Sequence, residues 1–198
     1  MMADFTMRRS ALGLPIIVLL LASCGRSPSA ESLLSEKDGK SMAIPIASQA
    51  FSSGGTIPTL YTCDGKDVSP PLTWSGIPEK ARSIALICDD PDAPRGTWTH
   101  WVLFDLPANI SGLGEGVPPQ ERVTVAPGGA TALQGKNDFG KTGYGGPCPP
   151  SGTHRYFFRI YALDTELGLG PKTTRQDLLR AIKGHVLAEG ELMGRYSR

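Results

Sequence analysis

A mostly β fold, one sandwich with small flanking and C-terminal helices, is predicted by three observations. Turn signals such as Asp64-Gly65, Pro70-Pro71 and the run from Asp89 to Pro94 recur at short intervals, a spacing that favours stacked sheets over alternating helices and strands. Residues His154 to Asp164 alternate with period two, the repeat of a strand with two distinct faces. Helix signals are concentrated in one place, near the C-terminus, where Thr174 and Asp177 read as a capping box ahead of Leu178, Leu179 and Ile182, and Gly184 ends the segment.

The chain begins with a targeting segment. Arg8 and Arg9 form a positive stretch, Ala11 to Leu20 an apolar one too short to span a bilayer comfortably, and Leu21-Ala22-Ser23 leads into Cys24. This pattern resembles a bacterial lipobox. The resemblance implies cleavage before Cys24, a lipid on its sulfur, and anchoring to a membrane of the bacterial cell envelope, outside the cytoplasm; an ordinary secretory signal with an incidental cysteine is the alternative. Residues 1–23 are therefore expected to be a lipoprotein signal peptide. Residues 24–43, Ser-rich and without apolar period, are expected to be the lipidated cysteine and a flexible tether. Residues 44–198 remain as one domain of about 155 residues, long enough to bury roughly two-thirds of its unfolded surface.

Charge excludes one class of partner. The whole chain carries a formal +1, and Asp4, Arg8 and Arg9 place that charge in the signal segment, so the remainder is neutral and shows no clustered basic face for nucleic acid. Cysteine spacing excludes another feature, since Cys24, Cys63, Cys88 and Cys148 contain no C-x-x-C pair of the zinc type. Cys88 lies in an apolar run and reads as a small buried hydrophobe. Cys63 and Cys148 lie in Gly/Pro/Asp-rich loops, where an oxidising compartment allows them to pair or to remain as two thiols.

Within the domain, Ile44 to Ser53 begins with alternating apolar residues and suggests an edge strand. Ser83 to Cys88 is a short apolar run of buried-strand length. The stretch Asp89-Asp90-Pro91-Asp92-Ala93-Pro94 follows, and its prolines force the chain out of the sheet in a stiff turn. Thr97 to Leu106, rich in β-branched and aromatic residues, resumes as a strand carrying His100. Pro107 to Gly152 reads as one long Gly/Pro-dense loop, a length that is usually functional or disordered. Its tail, Gly135 to Pro150, mixes Gly with Pro in a way that brings backbone N–H groups near an anion, but no G-K-[ST] follows and it is not a P-loop. On the strand from His154, alternation sets His154, Tyr156, Phe158, Ile160 and Ala162 on one face, with Arg155, Phe157, Arg159, Tyr161 and Leu163 on the other. A helical turn at Val186 to Ala188 and a last strand at Leu192 to Tyr196 complete the expected order.

Carboxylates at one strand end and histidines at two others are the candidate site. Taken with Tyr61-Thr62-Cys63-Asp64-Gly65, Ser69 to Trp74, Thr99-His100-Trp101, Tyr144 to Pro150, Gly152 to Tyr156, and the terminal Gly184 to Ala188 and Leu192 to Tyr196, these residues resemble the phosphatidylethanolamine-binding protein family. The bacterial, Raf-kinase-inhibitor-like branch is the nearest in pattern. The resemblance implies a β-sandwich with a compact anion pocket at one end, lined by Asp90, Asp92, Pro94, His100, the Gly146-Pro147 and Pro149-Pro150 wall, His154 and Tyr156. Imidazole N–H groups, a phenol and loop amides suit phosphate oxygens, whereas Asp90 suits a histidine or an ammonium group. The expected function is non-enzymatic binding of a phospholipid headgroup or other phosphorylated small molecule, without cofactor or metal. Inhibition of a partner protein through the pocket rim is the alternative. A metal site from Asp90, Asp92, His100 and His154, or Cys148 acting as a nucleophile beside a histidine, is the enzymatic option.

Overall fold

The structure is a computed structural model that describes residues 42–126 and 128–198. Cys24, the signal segment and nearly all of the tether lie outside the described residues. Among the described residues, ten strands form two sheets. β1 (Met42–Ala43), β4 (Ser83–Asp90), β5 (Trp98–Pro107), β7 (Arg122–Ala126), β8 (Ala130–Gln134), β9 (Thr153–Leu163) and β10 (Val186–Ser197) make a seven-stranded sheet in the order β1-β10-β9-β4-β5-β8-β7. β2 (Ile46–Ala47), β3 (Leu72–Trp74) and β6 (Gly112–Leu113) make a three-stranded sheet in the order β2-β3-β6. The mostly β sandwich expected from the turn spacing is the observed fold.

β4 sits at the centre of the large sheet, paired antiparallel with β5 on one side and β9 on the other. All eight of its residues are buried, because both faces are covered. Ile84, Leu86 and Cys88 point between the sheets with Trp101, Leu103, Phe158 and Ile160, facing Leu72, Trp74 and Leu113 of the small sheet. Ala85 and Ile87 point outward with Val102, Phe104 and Leu163, under Leu178 of the helix α1 (Arg175–Ala181) and Ile182, which caps its C-terminus. A strand covered twice reads as a continuous apolar run rather than an alternating one, as Ser83 to Cys88 does. α1 begins at Thr174, whose hydroxyl accepts from the Asp177 N–H while the Asp177 carboxylate accepts from the Thr174 N–H, so the capping box is formed.

Three expectations are corrected. Ile44 to Ser53 is strand only at β2, two residues at the edge of the small sheet, and the segment beyond Ala47 is not strand. Pro107 to Gly152 is not one loop: β6, β7 and β8 lie within it. The β7–β8 hairpin, Arg-Val-Thr-Val-Ala against Ala-Thr-Ala-Leu-Gln, is half Ala and Thr, and turns through Gly128 and Gly129 at φ 90° and 85°. Small side chains give a weak apolar signal, so the Gly-Gly turn is the cue that identifies it. Finally, Val186 to Ala188 is not helical, and twelve residues form the single strand β10. Its glycines interrupt the apolar alternation for a reason remote in sequence: a Cβ at Gly190 would collide with the Ile44 carbonyl oxygen, and one at Gly194 with the Ile57 side chain.

Candidate functional site

The end of β4 and the starts of β5 and β9 meet at one edge of the sandwich. Cys88 pairs with Trp101 but Asp89 with Thr99, so β5 carries one extra residue there, His100. Without that bulge, His100 would share the outward parity of Val102 and Phe104. The bulge turns it inward, where its ring meets the edge of Tyr156 at 5.1 Å between centroids. Re-aiming a side chain beside a site is a recurring use of such bulges.

His100 is 2% exposed, and its Nδ1 lies 2.6 Å from the Gly145 carbonyl oxygen, which can only accept, so Nδ1 carries the proton and donates. Burial, the largest influence, pushes the imidazole below its ordinary pKa, partly offset by that carbonyl and by the Asp90 charge. His154, on the inward face of β9, points Nδ1 at the Asp90 carboxylate, 2.7 Å away. Asp90 is itself buried, and its second oxygen accepts from the Asp92 N–H at 2.8 Å. Each histidine therefore leaves Nε2 as its unengaged ring nitrogen.

The wall opposite is the Gly145 to Pro150 loop, tied down from the segment around Tyr61. Cys63 and Cys148 are joined in a disulfide, which resolves the two options open for them in favour of pairing. Among the described residues, Cys88 is the free thiol; it is buried, and burial raises its pKa well above the ordinary value. The Tyr144 hydroxyl donates to the Tyr61 carbonyl at 2.9 Å, and the Gly146 N–H to Asp67 at 2.6 Å. At Gly146 a Cβ would strike the Tyr61 carbonyl oxygen, so only glycine permits this approach.

A cavity of about 170 Å³ results, lined by Asp90, Pro94, His100, Pro149, Pro150 and His154 among the expected residues, together with Ala93, Trp98, Phe139 and Cys148. Larger depressions elsewhere, such as one of about 770 Å³ around Arg82, Asp105 and Arg122, are wider. The small cavity is the one that gathers both histidines. Two of its neighbours hold buried polar atoms without a partner, Trp98 Nε1 and the Tyr156 hydroxyl. Such atoms are rare in native interiors and ask for an explanation, a ligand among them.

Four expected residues do not line the cavity. Asp92 turns to Arg155, accepting from Nε at 2.8 Å and Nη2 at 2.7 Å, and this clamp holds its carboxyl down at about 2. Gly146 and Pro147 lie behind the wall rather than at its surface, held to Asp67 and Cys63. Tyr156 is fully buried beside His100. Its phenol is held protonated, first by burial and then by the Asp90 charge. Trp98 and Phe139 were not expected: Trp98 faces inward because it pairs with Asp90, and Phe139 stacks edge-on against Trp98 and His100 at 5.5 and 5.3 Å. Register shows the first only once the bulge is known, and the second sits in a loop without periodicity. Cys148 is joined in the disulfide and has no thiol, so it is not the nucleophile of the enzymatic option.

A family model described as phosphatidylethanolamine-binding protein matches residues 47–197. The chain belongs to the phosphatidylethanolamine-binding protein family. Within the family, it is 55% identical to a UPF0098 protein of Methanothermobacter thermautotrophicus over 153 residues, 77% of this chain and 98% of that one. A UPF0098 protein of Aquifex aeolicus is 47% identical over 156 residues, covering 77% and 88%. Two crystal structures share the fold. A putative phosphatidylethanolamine-binding protein homolog, CT736 of Chlamydia trachomatis, superimposes with a TM-score of 0.71 at 42% identity, covering 80% of this chain and 99% of that one. YbcL of E. coli superimposes with a TM-score of 0.71 at 32% identity, covering 78% and 98%.

Proposed function

We propose that this protein is a non-enzymatic binder of small phosphate-bearing groups, phospholipid headgroups of the phosphatidylethanolamine type included. The observation that carries the reading is the pair of buried imidazoles at one small cavity, each with Nδ1 committed to an acceptor and Nε2 unengaged. A protonated Nε2 and the unpartnered Trp98 N–H are donors of the kind phosphate oxygens accept. The cavity volume suits a phosphate or headgroup and not an acyl chain. Family membership supports a binding role.

The test is calorimetric titration of glycerophosphoethanolamine into the wild type and His154→Ala near pH 6. Removing a charge-assisted hydrogen bond costs about 1.5–3 kcal/mol, roughly a ten- to hundredfold loss of affinity. Equal affinities would remove His154 from the site. We place the protein at a bacterial membrane, outside the cytoplasm, through a lipid on Cys24, on the strength of the lipobox pattern. Cys24→Ala is expected to leave the membrane fraction or accumulate as precursor, and unchanged fractionation would count against the anchor.

A further inference from the structure

The phosphate reading, on which this inference rests, leaves open which kind of phosphate fits. Among the described residues, no Lys or Arg lines the cavity. Its fixed charge is the Asp90 carboxylate, 3% exposed. His154 is faced by Asp90 from β4, by Asp92 and Arg155, which neutralise each other as a clamped pair, and by Tyr196 from β10. His100 is faced by the Gly145 carbonyl, by Asp90 and Asp138, and by the Tyr156 phenol. With His100 neutral, the charge at the cavity is −1 when His154 is neutral and 0 when it is protonated. Neither value complements two negative charges.

Hydrogen bonding leads to the same place. Because Asp90 and the Gly145 carbonyl can only accept, both Nδ1 atoms carry protons, and a neutral ring then offers a lone pair at Nε2. A phosphate dianion has acceptors alone and meets that lone pair unfavourably. A phosphate retaining one proton can donate to it, and a diester has one charge to match one imidazolium.

We infer that the pocket selects its ligand by charge state, taking phosphate groups with a single negative charge, diesters or monoesters that keep one proton, and rejecting the dianion, with Asp90 setting the choice. Asp90 does so twice: it supplies the opposing charge and pins the His154 tautomer. Its amide counterpart would supply neither, since an amide N–H can donate to Nδ1 and let a neutral His154 present Nε2–H to the ligand.

The experiment compares glycerophosphoethanolamine, a diester, with phosphorylethanolamine, a monoester that becomes a dianion above about pH 6. Affinities are measured by calorimetry at pH 5 and pH 8, for the wild type and Asp90→Asn, with folding checked by circular dichroism. In the wild type the preference for the diester should widen at least tenfold from pH 5 to pH 8. In Asp90→Asn the monoester should bind at least tenfold tighter at pH 8 than it does to the wild type. Failure of both probes to bind the wild type at either pH would defeat the phosphate-site reading itself. Binding of both with a constant ratio across pH would leave that reading standing and overturn charge-state selection. A ratio that widens in the wild type and persists in folded Asp90→Asn would overturn the role given to Asp90.

Discussion

Asp89 and Asp90 are neighbours in sequence and nearly equal in burial, yet they belong to different parts of the molecule. Asp89 points to the outer face of the large sheet, where one oxygen meets Arg159 and the other the Arg175 Nε at 2.9 Å, and Arg159 continues to Glu191 at 2.9 Å. Asp90 points into the cavity and meets a histidine. A guanidinium keeps its charge at every accessible pH, so the outer network is fixed and ties α1 to the sheet. An imidazole can serve as a neutral or as a charged partner, so the inner pair is not fixed in the same way. One carboxylate thus ties the helix to the sheet while the next meets a histidine at the cavity.

The comparison can be broken from either side. The largest expected effect is on the cavity side, where the pocket wall is held covalently. Replacing Cys63 and Cys148 together by Ser should cost about 2–5 kcal/mol of stability, toward the upper end because the bridge joins residues 85 apart. Urea unfolding of the double variant would check this, and an unchanged midpoint would mean that the hydrogen bonds of the wall suffice alone.

Asp89→Ala comes next. Leaving two guanidinium groups without their shared carboxylate should cost about 3 kcal/mol, below what a fully enclosed pair would lose because both arginines are partly solvated. Affinity for glycerophosphoethanolamine should stay within about twofold wherever the variant is folded, in contrast to the loss expected for His154→Ala. A variant that keeps its stability but loses binding would invert the division of labour.

The smallest effect is the pH dependence of stability. Burial depresses the His100 pKa, so the unfolded chain takes up a proton that the folded one resists. That contribution favours the fold above the ordinary histidine range and is lost as pH falls through it. Asp92, held at about 2, adds stability above the ordinary carboxylate range that is lost as pH falls toward that value. Urea midpoints should therefore decline modestly between pH 7 and pH 5, and His100→Gln should flatten that decline. A midpoint that rises on acidification over this range would contradict a neutral His100.

Much of this was legible from local pattern. β4 and β9 announce themselves as a continuous apolar run and a clean alternation, and Thr174 with Asp177 marks the start of α1. Asp90 and His154 on inward faces follow from the same period-two argument. The β7–β8 hairpin was hidden because Ala and Thr carry little apolar contrast, and β10 was divided because Gly190 and Gly194 interrupt its alternation. Those glycines answer to Ile44 and Ile57, more than a hundred residues away.

The sequence by itself determined the fold class, the central strands, the capped helix and the family, because each rests on periodicity or on residue patterns within a few positions. Only the tertiary structure decided which polar groups share the cavity. The bulge in β5 brings His100 inward against its strand parity. The clamp by Arg155 takes Asp92 away, and pairing with Asp90 brings Trp98 in. The disulfide chooses Cys148 as wall rather than nucleophile. Each is settled by register or contact between segments remote along the chain, and spacing within one segment carries no information about a partner that folding alone brings near.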